Sequence, residues 1–298
     1  MAHIDQYIDR IEQFRKDVWD HYRAVGRHDL PWRKTKDPYR IMVSEVMLQQ
    51  TQVPRVLEKY REFLKAFPNI RALAKAPLSD VLRVWSGMGY NRRGKYLKDA
   101  AVEIVKRYDG KLPHDVVSLR ALPGIGPYTA SAVAIFAFNT PDTLIETNVR
   151  TAFIHAFLAP KGVIHPNRRG QTSVKKVSDR DLLPLIAKAA EGQDPRTWHW
   201  ALMDYGSHLK KLHKNPGRAS AHYIRQSKFD GSLRQVRGAI LRELHNGACR
   251  EHTLLQRLNR SKISSLNLDI SGRRLDDALA GLARDGMIRE EKGQWRIA

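Results

Sequence analysis

The segment Leu122–Gly126, with the sequence Leu-Pro-Gly-Ile-Gly, holds residues whose spacing points to anion binding. Its two glycines flank one hydrophobic residue, and an apolar helix with Thr129 in its first turn is expected to follow. This pattern predicts a tight hairpin between two helices. The exposed amides of Gly124, Gly126 and the start of the next helix can bind a phosphate without reading a base. An ordinary turn between helices would share the pattern, so the assignment depends on its surroundings.

The net charge of the chain indicates a polyanionic partner. Its 298 residues include 52 Lys and Arg against 31 Asp and Glu, a formal net charge of +21, and its isoelectric point is about 10.2. Such a charge favours nucleic acid, although it would also serve ribosomal, RNA-binding and membrane-surface roles. The sequence has neither an apolar run of about 18 residues nor a signal peptide. We therefore expect a cytoplasmic protein with no membrane partner, associated with the nucleoid if prokaryotic.

Three further segments carry polar residues in short, distinctive arrangements. The first runs from Leu30 to Thr51 and contains Leu-Pro-Trp-Arg, Asp-Pro-Tyr and Ser-Glu-Val-Met-Leu-Gln-Gln-Thr. The others are Gly87–Tyr90, followed by Asn-Arg-Arg, and Ile145–Arg150. In this order and at these separations, the four segments resemble the helix-hairpin-helix (HhH-GPD) DNA glycosylases, and among them the MutY-type adenine DNA glycosylases most closely. The resemblance covers about Leu30 to Gly206.

The resemblance implies two catalytic carboxyl groups. It places Glu45 at the acid that protonates a flipped base and helps to position the attacking water, and Glu146 at an aspartate that stabilises the sugar cation. A purine leaves C1′ readily only when a proton neutralises the ring, and the sugar passes through an oxocarbenium-like state. One carboxyl group must therefore be neutral and the other charged, and Glu146 would act electrostatically or by transient attack on C1′. A surface glutamate is the ordinary alternative for Glu45, and the extra methylene of Glu146 departs from the family.

Tyr128 stands where lyase-type relatives carry a lysine that forms a Schiff base with the sugar. A phenol cannot make that adduct, so we expect a monofunctional enzyme that leaves an abasic site. Packing at the start of its helix is an equal alternative for this ring. The resemblance also places Gly124, Gly126 and Thr129 against the DNA backbone.

Other implied residues replace the flipped nucleotide in the duplex. Flipping costs about a few kcal/mol of stacking, so side chains must fill the gap. Gln50, Met88 and Tyr90 match positions that fill this gap or pack on the opposite base. Met88 and Tyr90 could equally belong to the hydrophobic core.

The implied base pocket contains Trp32, Arg33, Asn148 and Trp200. A ring at Trp32 can stack on the base, and the guanidinium of Arg33 can anchor a phosphate or a base edge. Trp200 departs from the family, because it aligns with a Gln or Glu that helps to recognise adenine in relatives. An indole in place of a polar partner changes which base edge is satisfied.

No cofactor is expected. Relatives carry four cysteines for a four-iron cluster after the segment that matches Ala201–Gly206, whereas the only cysteine of this sequence is Cys249. The chain therefore cannot form the cluster. The cysteine positions fall at about Lys210, Gly217, Ser220 and Gln226. Zinc binding by His208, His213 and His222 is disfavoured, because no cysteine lies near them in the sequence and the histidines are not closely spaced.

These residues must be positioned by a largely helical fold. From Ile4 to about Lys211 the apolar residues recur at helical spacing, as in Val81, Leu82 and Trp85, with no alternating strand run. Proline and glycine mark the loops, at Asp29–Pro38, Gly110–Pro113, Pro123–Pro127 and Ala159–Gly170. We expect residues 1–228 to form an all-α helix-hairpin-helix domain that ends in an extended basic connector at about 207–228.

The pattern of residues 229–298 predicts a C-terminal winged-helix-like domain. Helical spacing marks Leu233–His245, Arg250–Leu258 and Gly272–Asp285, and the turn Glu291–Gly293 separates two short strand-like pieces. This part carries 13 basic and 9 acidic side chains, so nucleic-acid binding is expected mainly in the first domain. Gly272–Asp285 could enter a DNA groove, but protein contact or simple stabilisation accounts for it equally well.

These residues favour a monomeric, monofunctional DNA glycosylase of base excision repair. Its expected partner is double-stranded DNA with a mismatch or lesion, and its expected substrate is adenine opposite guanine or 8-oxoguanine. Two alternatives stay open: a thymine or uracil glycosylase that acts on pairs with guanine, and a catalytically silent protein that binds damaged DNA. The formation of abasic sites distinguishes a glycosylase from the silent damage-binding protein, because a pure binder never releases a base.

Overall fold

The computed structural model of the protein describes residues 7–158, 164–166, 172–174, 176–213, 215–225, 228–260 and 270–298. It confirms the predicted all-α character, because strands in these residues are confined to short hairpins. The helices α1 to α14 are, in order, Ile8–Val25, Pro38–Leu48, Val53–Ala66, Ile70–Lys75, Leu78–Trp85, Arg92–Tyr108, Val116–Arg120, Pro127–Phe138, Thr147–Phe153, Asp179–Ala190, Pro195–Leu212, Leu233–Leu244, Glu251–Arg260 and Gly272–Arg284. The strands β1 to β4 are Ile164–Pro166, Thr172–Val174, Ile288–Glu291 and Gln294–Ile297.

The chain divides into two compact units, each built from two stretches. The first unit comprises Met1–Pro38 and Pro127–Arg225, and the second comprises Tyr39–Gly126 and Gln226–Ala298. These units differ from the predicted domains 1–228 and 229–298, because the chain leaves the first unit after α1 and returns to it at α8. In the part of the chain that the structure describes, no helix combines the length and apolarity needed to cross a membrane.

The first unit is organised around contacts that α11 makes with α1 and α9. Phe14 and Val18 lie on one buried face of α1 and belong to the same core as Trp198 of α11, as the four-residue spacing predicts. On the side facing α9, a Cβ at Gly206 would lie only 2.0 Å from the carbonyl oxygen of Asn148. Glycine at this position therefore allows α11 to pack directly against the first turn of α9.

The first stretch of the second unit contains α2 to α7. Helix α2 is buried on nearly every side, as its almost wholly apolar sequence requires. Trp85, at the end of α5, is fully buried, and a Cβ at Gly94 of α6 would lie 2.9 Å from its indole ring. The side chains of Asn69 and Asp115 accept hydrogen bonds from the first turns of α4 and α7, which fixes where these helices begin.

The second stretch of the second unit confirms the predicted helix, helix, helix, hairpin layout. Strands β3 and β4 pair antiparallel, with Ile288 opposite Ile297. The turn between them contains Lys292 and Gly293, both with positive φ, as expected for a tight two-residue hairpin. The apolar faces of α12, α13 and α14 share one core with β3, and Leu82 of α5 belongs to that core.

Two expectations about loops are wrong. The predicted loop Ala159–Gly170 contains β1, which pairs with β2, and strands of three residues are too short to show an alternating pattern. The predicted extended connector begins as a helix, because α11 continues to Leu212, and Pro216–Ala219 then forms a 3-10 turn. Buried Leu209 continues the apolar face of α11, which explains the longer helix. Residue Gln226 of the connector lies outside the described residues.

Candidate active site

The predicted site residues fall in both units. The first unit holds Trp32, Arg33, Tyr128, Thr129, Glu146, Asn148 and Trp200. The second unit holds Glu45, Gln50, Met88, Tyr90, Gly124 and Gly126.

Glu45 lies near the middle of α2 and is only 5% exposed. This burial excludes the surface-glutamate alternative. Its neighbours Ser44 and Val46 are also buried, and the hydroxyl of Ser44 donates a hydrogen bond to the carbonyl oxygen of Ile41 at 2.8 Å. Burial disfavours the charged form of a carboxyl group, and the neutral form is the one that a general acid needs.

Glu146 is the N-cap residue of α9, and its carboxylate is held in place by that helix. Its Oε1 accepts hydrogen bonds from the backbone N–H groups of Asn148, at 2.7 Å, and Val149, at 2.9 Å. Its Oε2 accepts one from the side-chain amide of Asn148 at 3.2 Å. Donors at a helix N-terminus stabilise a negative charge. The half-buried carboxylate is therefore suited to the anionic role that the resemblance assigned to it.

Lys210 completes this arrangement from α11. Its ammonium donates a hydrogen bond to Oδ1 of Asn148 at 2.7 Å, so the same amide group is held on one side by Lys210 and binds Glu146 on the other. Burial lowers the pKa of Lys210, while the negative charge of Glu146 opposes the shift. In the sequence, Lys210 stands out only as one of the positions at which relatives carry a cysteine. Its position one turn after Gly206, on the face that meets α9, is the signal that was missed.

The three cysteine positions that the structure describes do not fit an iron–sulfur cluster, because their residues make other contacts. Lys210 binds Asn148, and a Cβ at Gly217 would lie 2.6 Å from the hydroxyl oxygen of Thr151. Ser220 is buried and forms a backbone bridge with Val177. Within the described residues there is also no group of three histidine, cysteine, aspartate or glutamate side chains that could hold a metal ion.

Arg33 forms an ion pair with Asp204, a buried residue that is not among the predicted site residues. Its guanidinium donates to both carboxylate oxygens of Asp204, at 2.8 and 2.9 Å, and its side chain is only 4% exposed. Burial acts to raise the pKa of Asp204, but Arg33 and Arg27 hold it below its ordinary value. This bidentate pair does not fit the predicted phosphate-anchoring role of Arg33.

The Arg33 guanidinium also lies over the ring of Trp200, 5.5 Å from its centroid. On α8, Phe136 stacks with the same indole at 5.7 Å and an angle of 21°. Trp200 is half-buried, whereas Trp32 is buried in the 3-10 turn Pro31–Arg33. Because Asp204 holds the Arg33 guanidinium in place against the indole, Arg33 is best interpreted as the residue that orients Trp200.

In the second unit, Gln50 and Tyr90 share an uncommon backbone conformation. Their φ angles are +54° and +48°, in a region that residues other than glycine, asparagine and aspartate rarely adopt. Such strain of about 1–3 kcal/mol per residue is concentrated at functional sites. Gln50 is exposed and Tyr90 half-buried, whereas Met88 is 4% exposed. This burial favours the core alternative for Met88.

Arg93, which is not among the predicted site residues, connects the segments that carry Gln50 and Tyr90 through hydrogen bonds. Its guanidinium donates to the carbonyl oxygens at the end of α2 and in the Gly87–Tyr90 segment, and to a threonine hydroxyl. The acceptors are Val46, Met47, Gln49, Met88, Gly89 and Thr51. Burial lowers the pKa of Arg93 to about 10, so it stays charged at neutral pH. A cation at a helix C-terminus is favourable.

The hairpin glycines differ in what surrounds them. Gly124 has a φ of +70°, and a Cβ there would lie 2.4 Å from Cβ of Tyr96, so only glycine fits. A Cβ at Gly126 would meet nothing within 4 Å, and both glycines are exposed. This open side leaves room for a phosphate at the Gly126 amide. Thr129 is 2% exposed, which does not fit a side-chain contact with the DNA backbone, and Tyr128, the second residue of α8, is half-buried.

Comparison with known proteins gives the family. Residues 43–182 match the model of the HhH-GPD superfamily of base excision DNA repair proteins. An adenine DNA glycosylase of Mycolicibacterium smegmatis is 32% identical over 283 residues, which cover 89% of this chain and 89% of that protein. The match to an adenine DNA glycosylase of Buchnera aphidicola is 37% identical over 144 residues but covers only 48% of this chain and 41% of that protein.

Two further proteins that resemble this chain bear the names of thymine-type DNA glycosylases. A thymine/uracil-DNA glycosylase of Pyrobaculum aerophilum is 32% identical over 197 residues, covering 65% of this chain and 81% of that protein. The solved structure of a thermostable thymine-DNA glycosylase shares the fold with a TM-score of 0.56 at 24% identity, covering 67% of this chain and 87% of that one. The chain therefore belongs to the HhH-GPD superfamily of base excision DNA repair proteins. The predicted class of enzyme, a DNA N-glycosylase of base excision repair, is confirmed as well.

Proposed function

We propose that this glycosylase removes adenine opposite guanine or 8-oxoguanine from duplex DNA, by hydrolysis and without a lyase step. The observation that carries the proposal is the contrast between the two carboxyl groups. Glu45 is buried in an apolar helix, whereas Glu146 accepts three hydrogen bonds at a helix N-terminus. Environments that separate two carboxyl groups in this way mark an acid and an anion.

In the proposed reaction, Glu45 gives its proton to the flipped base as the N-glycosidic bond breaks. The bonding electrons leave with the neutralised base, and C1′ of the sugar becomes cationic. The carboxylate of Glu146 stabilises that cation. Water then adds to C1′ while Glu45 accepts a proton. Tyr128 offers no amine for a Schiff base, so the product is an abasic site in an intact strand.

DNA binding is part of the same proposal. The net charge of +21 favours a polyanion, and the exposed Gly124–Gly126 segment offers backbone amides to a phosphate. The adenine preference is supported by adenine DNA glycosylases among the relatives, including those of Mycolicibacterium smegmatis and Buchnera aphidicola. We further propose that the enzyme acts as a monomer on mismatched or damaged duplexes, without a metal or other cofactor, in the cytoplasm.

A second candidate substrate is thymine or uracil opposite guanine. Trp200 favours it, because an indole presents one N–H donor and no acceptor, so it cannot accept a hydrogen bond from the amino group of adenine. The relative from Pyrobaculum aerophilum bears the name thymine/uracil-DNA glycosylase. This candidate uses the same two carboxyl groups and differs only in the base that the pocket accepts.

Single-turnover cleavage of duplexes with A:8-oxoG, A:G, T:G and U:G pairs tests the proposal, with alkali added to reveal abasic sites. Glu45→Gln should abolish cleavage, whereas Glu58→Gln, which removes an exposed carboxylate from α3, should leave it unchanged. Cleavage confined to T:G or U:G would replace adenine by the second candidate. Binding without cleavage of any duplex would favour the silent damage-binding protein.

A further inference from the structure

The second unit contains a cleft of about 510 Å³ between the Gly87–Tyr90 segment and the helices α12 and α14. Its lining is dominated by positive charge. Five arginines and one acidic residue contribute to it: Arg92, Arg93, Arg234, Arg237, Arg284 and Asp285. Among the described residues that line the cleft, Asp285 is the only acidic one. Arginines gathered in this way repel one another, so the cleft favours an anionic ligand.

Contacts within the unit hold two of these guanidinium groups in position. Arg234 lies 4.8 Å from the ring centroid of Tyr90 and also donates a hydrogen bond to its hydroxyl. Arg237 forms an ion pair with Asp285, which Arg92 also approaches at 3.5 Å. Side chains that are already oriented lose less conformational freedom when a ligand binds. The cleft therefore presents its charges in a fixed arrangement.

The five arginines are not equally available to a ligand. Arg93 donates to backbone carbonyl oxygens of its own unit, so we assign it no ligand contact. Arg284 is the last residue of α14 and is exposed. Arg92, the first residue of α6, is exposed as well, whereas Arg237 is half-buried and paired with Asp285. Arg284 and Arg92 are therefore the best placed to meet an anion that enters from solvent.

The cleft also touches the predicted DNA-gap residues, because Gln50 and Tyr90 line it. We propose that this arginine cleft binds a phosphodiester of the DNA backbone beside the flipped nucleotide, so that the winged-helix-like part is a DNA-contacting module. The proposal rests on the proposed glycosylase function for the position of the DNA. Guanidinium groups suit phosphate oxygens in charge and geometry.

The proposal changes the role expected for the helix Gly272–Asp285. Its N-terminal half carries Arg273 and Arg274 together with Asp276 and Asp277, and none of these lines the cleft. Its C-terminal end supplies Arg284. Residues 229–298 have only a small excess of positive charge, which gives no sign of the cleft in the sequence. The cleft is nevertheless positive, because most acidic side chains of this part lie outside it. Contact with backbone phosphates would add affinity without reading sequence.

Salt-dependent binding tests the proposal on a short duplex that carries a tetrahydrofuran abasic-site analogue opposite guanine. Arg284→Ala and Arg92→Gln should each weaken binding by about tenfold, the effect of losing one charged hydrogen bond. Each should also reduce the slope of log K against log salt by about 0.9 between about 50 and 200 mM salt. Arg257→Ala is the matched control, since it removes an exposed arginine of α13 outside the cleft.

A methylphosphonate scan identifies the contacted phosphate. Replacing that phosphate by an uncharged group should weaken the wild-type protein but have little further effect on Arg284→Ala. Binding and salt slopes of both cleft variants equal to those of Arg257→Ala would overturn the proposal. Because the probe holds no base to remove, this result is independent of whether adenine is the substrate. Arg284 and Arg92 are both exposed, so their variants separate DNA binding from a folding defect.

Discussion

Lys210→Met should slow base removal although Lys210 does not touch the reacting atoms. The substitution keeps the length of the aliphatic stem but removes the ammonium that donates to Asn148 at 2.7 Å. Asn148 Oδ1 then loses this charged donor, and its amide is free to rotate away from Glu146, which it now meets at 3.2 Å. The carboxylate would keep its two backbone hydrogen bonds and lose part of its orientation.

The size of the effect follows from these contacts. A hydrogen bond to a charged group contributes about 1.5–3 kcal/mol. Lys210 is only half-buried and acts through Asn148, so we take the lower end of this range. About 1.4 kcal/mol in transition-state energy is tenfold in rate. We therefore expect the single-turnover rate constant to fall by about tenfold, with little change in DNA affinity.

The control is Lys211→Met, which removes the same charge from the exposed neighbouring residue. Both variants lose one positive charge and therefore the same long-range attraction to DNA. Lys210→Arg should restore most of the rate, because a guanidinium can also donate to Asn148. Equal rate constants for Lys210→Met and Lys211→Met at saturating enzyme would refute the positioning role.

The pH dependence of the single-turnover rate constant gives a second test of the role of Lys210. Because burial lowers the pKa of Lys210, the ammonium loses its proton below the ordinary value of about 10.4. The wild-type rate should therefore fall as pH rises towards that value, and Lys210→Met should lack this alkaline decline. The unfolded chain binds the proton more tightly than the folded chain, so this residue makes the free energy of unfolding rise over the same interval.

Three other substitutions test the packing that supports the site. Gly206→Ala should lower the free energy of unfolding in urea by about 1–3 kcal/mol, because its Cβ would lie 2.0 Å from a carbonyl oxygen. The control Gly272→Ala should not destabilise the fold, because its Cβ would meet nothing within 4 Å. Arg93→Met should lower the melting temperature sharply by leaving buried carbonyl oxygens unpaired, and a melting temperature equal to wild type would contradict this. Asp204→Asn should cost about 3–5 kcal/mol at neutral pH. Because the pKa of Asp204 is lowered, its stabilisation is present above about 3.9 and lost as pH falls below that value, so the variant should lack this part of the acid-induced loss of stability.

Local signals in the sequence predicted most of the elements. The helices of the C-terminal part end within about two residues of their predicted ends, because their apolar faces repeat regularly. The hairpin turn at Lys292 and Gly293 was predicted from a different signal, because Gly293 readily adopts the positive φ that such a turn requires. The β1–β2 hairpin was missed because each strand has only three residues.

Contacts between distant residues could not be predicted in this way. Arg33 and Asp204 are 171 positions apart, and Lys210 and Asn148 are 62 apart. Neither pair shows a periodic or motif-like pattern, and each exists only because tertiary packing brings two helices or turns together. The interpretations of Arg33 and Lys210 from the sequence accordingly changed when these contacts were seen. Glu45 and Glu146, in contrast, are placed by local features, a buried helix and a helix N-terminus.

The residues at the positions of the missing cluster cysteines also make contacts that depend on tertiary packing. A cluster would need thiolates at about Lys210, Gly217 and Ser220, yet Lys210 and Gly217 already contact α9, and buried Ser220 forms a backbone bridge with Val177. A side chain at Gly217 would meet Thr151 at 2.6 Å, and Lys210 holds the amide that binds Glu146. Cysteines at Lys210 and Gly217 would therefore displace contacts around Glu146, to which we assign the anionic role. We accordingly expect direct packing of these two residues on α9, and not a cluster, to position Glu146.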